Sequence, residues 1–189
     1  MEFTITLTII ILTCIISFTA FNNEKITNDL IFWPPMIGEK KQFYRFVTSG
    51  FIHADIAHLA FNMITLYFFG RVMEDFFVAK IGKAGFLLFY IAGIIVSEIP
   101  SYIKHRTNYS YRSLGASGAV TAVLFSFILL APWQTMYVFF LPMPAIVFAA
   151  LYLGYTFYMN KRGGDYINHS AHLWGAIWGI AFTMLMEPK

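Results

Sequence analysis

Residues 167–186 read INHSAHLWGAIWGIAFTMLM, and this stretch decides the fold. A helix needs roughly 20 mostly apolar residues to cross the hydrocarbon core of a bilayer, and the run has that length without one Asp, Glu, Lys or Arg. Five earlier segments meet the same requirement approximately: Phe3–Phe21, Ile56–Met73, Gly85–Ile103, Gly115–Ala131 and Met136–Met159. The expected fold is all-α, a polytopic bundle of six transmembrane helices, with residues 1–189 forming one membrane domain. The segments differ in quality. The second carries His58 and Asn62, and the fourth is short and opens with glycine. The fifth begins with Pro142 and Pro144, so its helical order is expected from about Ala145.

Composition agrees. The chain is 58% hydrophobic and 12% charged, with a mean hydropathy of +0.64, where soluble domains carry about a quarter charged residues. The net charge of +3 is small and unclustered, which argues against a nucleic-acid partner. Cys14 is the single cysteine, so an intramolecular disulfide and a cysteine-based zinc site are excluded, and a buried, inert thiol is expected. Phe3–Phe21 reads as a retained first span: Glu2 stands where a signal peptide would be basic, and no small-x-small cleavage site follows.

The connection from Asn22 to Asp55 is much the longest. It contains Ile31-Phe32-Trp33-Pro34-Pro35 and Gln42-Phe43-Tyr44-Arg45-Phe46, with Lys40 and Lys41 beside them, a mixture suited to the membrane interface. With six spans both termini share one side with Arg71, Lys80, Lys83 and Lys189. The opposite side holds Lys25, Lys40, Lys41, Arg45, Lys104, Arg106, Arg112, Lys161 and Arg162, so the positive-inside rule puts the termini outside.

Polar side chains within spans are costly and mark function by default. His58 and Asn62 are four residues apart on one helix face, Ser117 opens the fourth span, and His169 and His172 open the sixth. His53 shortly precedes the second span. Spans two, four and six run the same way through the membrane, so four of the five histidines converge with Asn62 and Ser117 in one layer. Ser117 lies in Gly115-Ala116-Ser117-Gly118-Ala119, where small neighbours allow a close backbone approach and a helix N-terminus offers free N–H groups for an oxyanion. A serine hydroxyl needs a base, and His172 is preferred. It lies one turn before Gly175, on the small-residue face formed with Gly179 that favours close packing on the fourth span. His58 and Asn62 are then available as oxyanion donors.

Each feature also has an ordinary structural explanation. Small residues around a serine usually only pack, and the Gly-x-Ser-x-Gly pattern of soluble hydrolases is broken by Ala119. Glu74 and Asp75 read as loop or head-group ligands, Glu98 as a snorkelling acid, and His105 receives no role. No acid stands where it would orient His172, so the residues support a dyad.

Together these residues resemble the rhomboid family of intramembrane serine proteases, from about Phe43 to the C-terminus. His53-x-x-x-x-His58-x-x-x-Asn62 is similar to the signature of its second core helix, Gly115-Ala116-Ser117-Gly118 to its nucleophile motif, and Ala171-His172-x-x-Gly175 to its base motif. Tyr44-Arg45 resembles a pair in its long first loop, and Glu74 its acid at the inner end of span two. The resemblance implies that Ser117 attacks the scissile carbonyl and His172 is its base. It further implies that His58, Asn62 and the Ser117 N–H, with Gly115 beside them, bind the oxyanion and substrate, with no metal and no cofactor. The implied substrates are single-span membrane proteins, and the implied place is the plasma membrane with cytoplasmic termini, against the Lys/Arg count. Many members carry an aromatic residue four positions after the serine that packs on the histidine. Thr121 stands there, so another residue holds the ring or it is held less firmly.

Two alternatives stand beside the protease: a catalytically inactive member that binds transmembrane clients, and a metal-dependent membrane hydrolase or transporter using His53, His58, His169 and His172. A hydrated cavity is expected near the starts of spans two, four and six. Span five and Met159–Asp165 are candidate gates, because prolines and Gly163-Gly164 weaken helical order.

Overall fold

The computed structural model describes residues 4–138, 140–165 and 167–187; Glu2, Phe3 and Lys189, named in the sequence analysis, lie outside the described residues. Helix α1 (Ile5–Phe21) is followed by three short helices, α2 (Glu24–Leu30), α3 (Pro34–Lys40) and α4 (Arg45–Thr48), and a 3-10 turn at Ser49–Phe51. Helix α5 (Ile56–Thr65) passes through a π-helical turn, Leu66–Gly70, into α6 (Arg71–His105). Then come α7 (Ser117–Leu130), strands β1 (Thr135–Val138) and β2 (Leu141–Pro144), α8 (Ala145–Arg162) and α9 (His169–Met186).

The run Ile56–His105 is long and apolar enough to cross a membrane, by length and composition, while α1 and α7 are shorter apolar helices. Gly82, with φ 72° and ψ 173°, interrupts that run, so residues 56–81 and 83–105 form two helices where two spans were expected. Only glycine adopts this backbone without strain.

Glu74 corrects one expectation. Its carboxylate is buried and accepts from the backbone N–H of Ile5 at 2.7 Å and of Thr6 at 2.8 Å, so it closes the start of α1 instead of meeting loops or head groups. A carboxylate is the natural partner of a helix N-terminus, where free N–H groups and the positive end of the dipole coincide. Thr4 adds the side-chain cap of the same helix.

Helix α7 runs through the centre of the bundle and buries most of its length, between α6 and α9. The small residues explain the closeness. A Cβ on Gly175 would collide with the carbonyl of Gly118, and one on Gly179 with that of Ala122. On the other side, Gly93 of α6 meets Ala119, and a Cβ on Gly118 would strike Ser97. Ser126 Oγ donates across the α7–α9 seam to the Gly179 carbonyl at 3.1 Å. Farther from the starts of α7 and α9, Phe77, Phe89, Trp178 and Phe182 pack ring against ring. Cys14 is half-buried against this core, less enclosed than expected.

The fifth expected span begins at Ala145, as the prolines required. The segment before it is a two-stranded antiparallel hairpin with Thr135 opposite Pro144, which the hydropathy pattern did not reveal. Pro142 and Pro144 lack the N–H a helix interior needs and are tolerated in a strand with a free edge. Helix α8 persists through Arg162, so the weakened part of Met159–Asp165 is confined to Gly163 and Gly164, both at positive φ.

Candidate active site

The segment before α7 is positioned by the long connection. Phe32 and Ser113 exchange backbone hydrogen bonds of 3.0 and 3.1 Å, and the Gly115 N–H donates to the Ser49 carbonyl at 2.9 Å. The Ala116 N–H donates to Nε2 of His53 at 3.4 Å. Arg45 holds the connection itself together: its buried guanidinium donates to the carbonyls of Asn28 and Ile31 at 2.7 and 2.8 Å and to Gln42 Oε1 at 2.7 Å. Gly115 then turns at φ 118°, and a Cβ there would lie 2.6 Å from Cε1 of His58. Glycine is needed both for the turn and for the imidazole against it.

Ser117 is the first residue of α7, and no side chain caps that helix, so its N-terminal N–H groups are open to the space in front of them. That space is a cavity of about 690 Å³ whose walls include Ser117, His172, His58 and Asn62. Tyr152 and Phe148 of α8, and Glu98 and Asn168, complete it. The cavity thus lies where α5, α7 and α9 begin, as expected. Of the anticipated site residues, Ser117, His172, His58 and Asn62 line it, whereas Gly115 does not, and His53 and His169 are buried beside it.

His172 is half-buried, and its Nδ1 lies 3.0 Å from the hydroxyl of Tyr152. The same hydroxyl is 3.1 Å from Thr121 Oγ1. With Nδ1 engaged, Nε2 is the nitrogen left to the cavity. Tyr152 thus takes up the ring contact that Thr121 cannot supply. Asn62 is buried and donates one amide N–H to the His58 carbonyl at 3.0 Å, which leaves its second N–H. His53 and His58 meet edge to face, with centroids 4.9 Å apart.

The surrounding polar groups hold the start of α9. Asn168 caps it through Ala171 N at 3.1 Å, while its amide nitrogen donates to Glu98 Oε2 at 3.0 Å. Glu98 also accepts from Ser113 at 3.0 Å. It is buried and bonded on both oxygens, which corrects its reading as a snorkelling acid. His169 Nε2 lies 2.9 Å from Asp165, and that hydrogen bond holds the Asp165 carboxyl below the usual carboxylate range. Tyr152 and Asn168 were not anticipated; a weak signal for the first was the missing aromatic at Thr121. For a metal, among the described residues no three His, Cys, Asp or Glu side chains stand together as a ligand set.

A family model of the rhomboid domain matches residues 40–189. The chain belongs to the rhomboid family. It is 34% identical over 165 residues to RHOMBOID-like protein 12, mitochondrial, of Arabidopsis thaliana, covering 78% of this chain and 48% of that one. It is 31% identical to Rhomboid protease GluP of Bacillus subtilis, covering 78% and 27%. It is 30% identical to Presenilin-associated rhomboid-like protein A, mitochondrial, of Danio rerio, covering 71% and 35%. The chain spans about half or less of the length of these relatives. A rhomboid domain is a helical bundle of the membrane, and the family includes a bacterial protease. Two of the three relatives are mitochondrial, so they lend no support to a plasma-membrane location for this one.

Proposed function

We propose that this rhomboid domain is a serine endopeptidase that hydrolyses transmembrane segments of single-span membrane proteins, using Ser117 and His172 across a bundle of six spans. The observation that carries the proposal is that Ser117, His172, His58 and Asn62 line one cavity while the Nδ1 of His172 is engaged by Tyr152.

Ser117 Oγ attacks the scissile carbonyl as Nε2 of His172 takes its proton. The oxyanion forms in front of the open end of α7, where the Ser117 N–H, the second Asn62 N–H and a ring N–H of His58 converge on it. His172 then gives its proton to the leaving amine, and the acyl-enzyme remains on Ser117. Water entering the cavity is deprotonated by His172 and releases the acid, returning serine and imidazole to their starting states. No step needs a metal or a cofactor.

The inactive client-binding alternative has less support, because client binding needs neither an engaged imidazole nor a serine at an uncapped helix start. The metal reading has less support because His53 already uses both ring nitrogens, on Ser17 and the Ala116 N–H, and because among the described residues no three His, Cys, Asp or Glu side chains stand together as a ligand set.

The test is labelling of the detergent-purified protein with a fluorophosphonate serine probe. Wild type is expected to label, in the presence of chelator too, while Ser117→Ala and His172→Ala do not. A folded wild type that fails to label overturns the proposal. Bound-zinc measurement on the same sample then separates the metal reading from client binding.

A further inference from the structure

Tyr152 sits midway along α8, half-buried on the cavity wall. Its ring lies nearly parallel to that of His172, with an interplanar angle of 15° and centroids 6.1 Å apart. It also touches Phe125 of α7, with centroids at 5.7 Å, and Phe148 one turn earlier on its own helix, at 5.6 Å. Its hydroxyl bridges His172 Nδ1 and Thr121 Oγ1, at 3.0 and 3.1 Å. One side chain thus links all three helices at the base.

The serine–histidine reading requires one direction of this linkage. A neutral imidazole carries one ring proton, and its other nitrogen is the acceptor. For Nε2 to take a proton from serine, Nδ1 must hold the ring proton. A tyrosine oxygen can accept that Nδ1–H while its own O–H donates a hydrogen bond to the hydroxyl of Thr121. Arranged so, the bridge accommodates the tautomer that serves as base, and the near-parallel tyrosine ring sets the plane of the imidazole. Helix α8, which supplies it, buries little of itself against the bundle: among its described residues only Ala145, Ala149 and Thr156 are buried, while Ile146, Val147, Leu151, Tyr155, Phe157 and Tyr158 are exposed.

We propose that Tyr152 is the positioning residue for His172, holding the imidazole with its proton on Nδ1, so that the base is set only while α8 is seated against α7 and α9. The proposal rests on the serine–histidine reading above. Thr121 is the second element of the device: it is the small hydroxyl residue that leaves room for Tyr152 and accepts its hydrogen bond.

The experiment compares wild type, Tyr152→Phe, Tyr152→Ala and Tyr152→Ala with Thr121→Tyr. Each is assayed for cleavage of a single-span model substrate in detergent, with melting temperature measured on the same samples. Tyr152→Phe keeps the ring and removes only the bridge. It is expected to lower kcat per folded molecule about tenfold, the size of one net hydrogen bond, with KM unchanged. Tyr152→Ala is expected to lose more, and Thr121→Tyr to restore part of that loss by supplying a ring from α7. A Tyr152→Phe protein with wild-type kcat overturns the proposal, and so does a fall in kcat that only follows the folded fraction. Wild type that neither cleaves nor labels overturns the serine–histidine reading itself, and is thereby told apart from a failure of the tyrosine alone.

Discussion

The backbone N–H of Ala116 donates to Nε2 of His53 across 3.4 Å, which ties the residue before Ser117 to the chain leading into α5. The far side of the same ring meets Ser17 of α1, whose Oγ is 2.9 Å from Nδ1 and itself donates to the Phe51 carbonyl at 3.0 Å. Since Nε2 accepts, Nδ1 carries the proton and donates it to Ser17. The first helix thereby reaches the loop before Ser117 through one neutral imidazole, and His53 has a structural role without facing the cavity.

His53→Ala leaves the buried Ala116 N–H without a partner, which costs about 1–3 kcal/mol. The expected outcome is a lower melting temperature together with a fall in kcat larger than any change in KM. Thermal unfolding and steady-state cleavage, measured on one preparation, check both parts.

His58 and Asn62 are proposed to act on the oxyanion, so their loss should appear in the chemical step. His58→Ala and Asn62→Ala are each expected to lower kcat about 10²- to 10³-fold, with KM changed far less. A substrate titration reads the split directly. An effect confined to KM would make them substrate-binding groups instead.

Gly179 packs on the Ala122 carbonyl, and nothing there can yield except the helices themselves. Gly179→Val forces α9 away from α7 and separates His172 from Ser117. Overpacking of this kind costs about 1–3 kcal/mol or more. Fluorophosphonate labelling is expected to vanish, whereas a valine at exposed Gly154, where a Cβ would meet nothing within 4 Å, should leave labelling intact.

Glu74 accepts two backbone N–H groups far from the cavity, so its removal separates stability from catalysis. Glu74→Ala strips both partners from the start of α1 and is expected to cost about 2 kcal/mol. The melting temperature should drop while kcat per folded molecule stays at the wild-type value, with active-site titration supplying the folded fraction.

Much of this was legible in the chain. Small residues at Gly175 and Gly179 announced a close helix pair, because a missing Cβ leaves a groove that only another backbone fills well. The layer containing Ser117, His172, His58 and Asn62 was legible too, since alternate spans begin on the same side of a bilayer. Other features were hidden because their partners are remote. Glu74 and Ile5 lie 69 positions apart, and Asn168 and Glu98 lie 70 apart, so no local pattern marks either bond. The β1–β2 hairpin was hidden for another reason: its residues are as apolar as a span, and hydropathy cannot tell strand from helix over so short a run.

The sequence by itself determined the helical class of the protein, its long helices, the small-residue seam and the identity of the polar residues near the helix starts. Each of these depends on local chemistry: apolar length, proline's missing N–H, glycine's missing side chain. Only the tertiary structure decided what each polar group does for its neighbours. It sent Glu74 to the start of α1, gave His53 to the Ala116 N–H, and brought Tyr152 from α8 to the ring of His172. A buried polar group must find a partner, and which partner it finds depends on which helices the packing sets side by side.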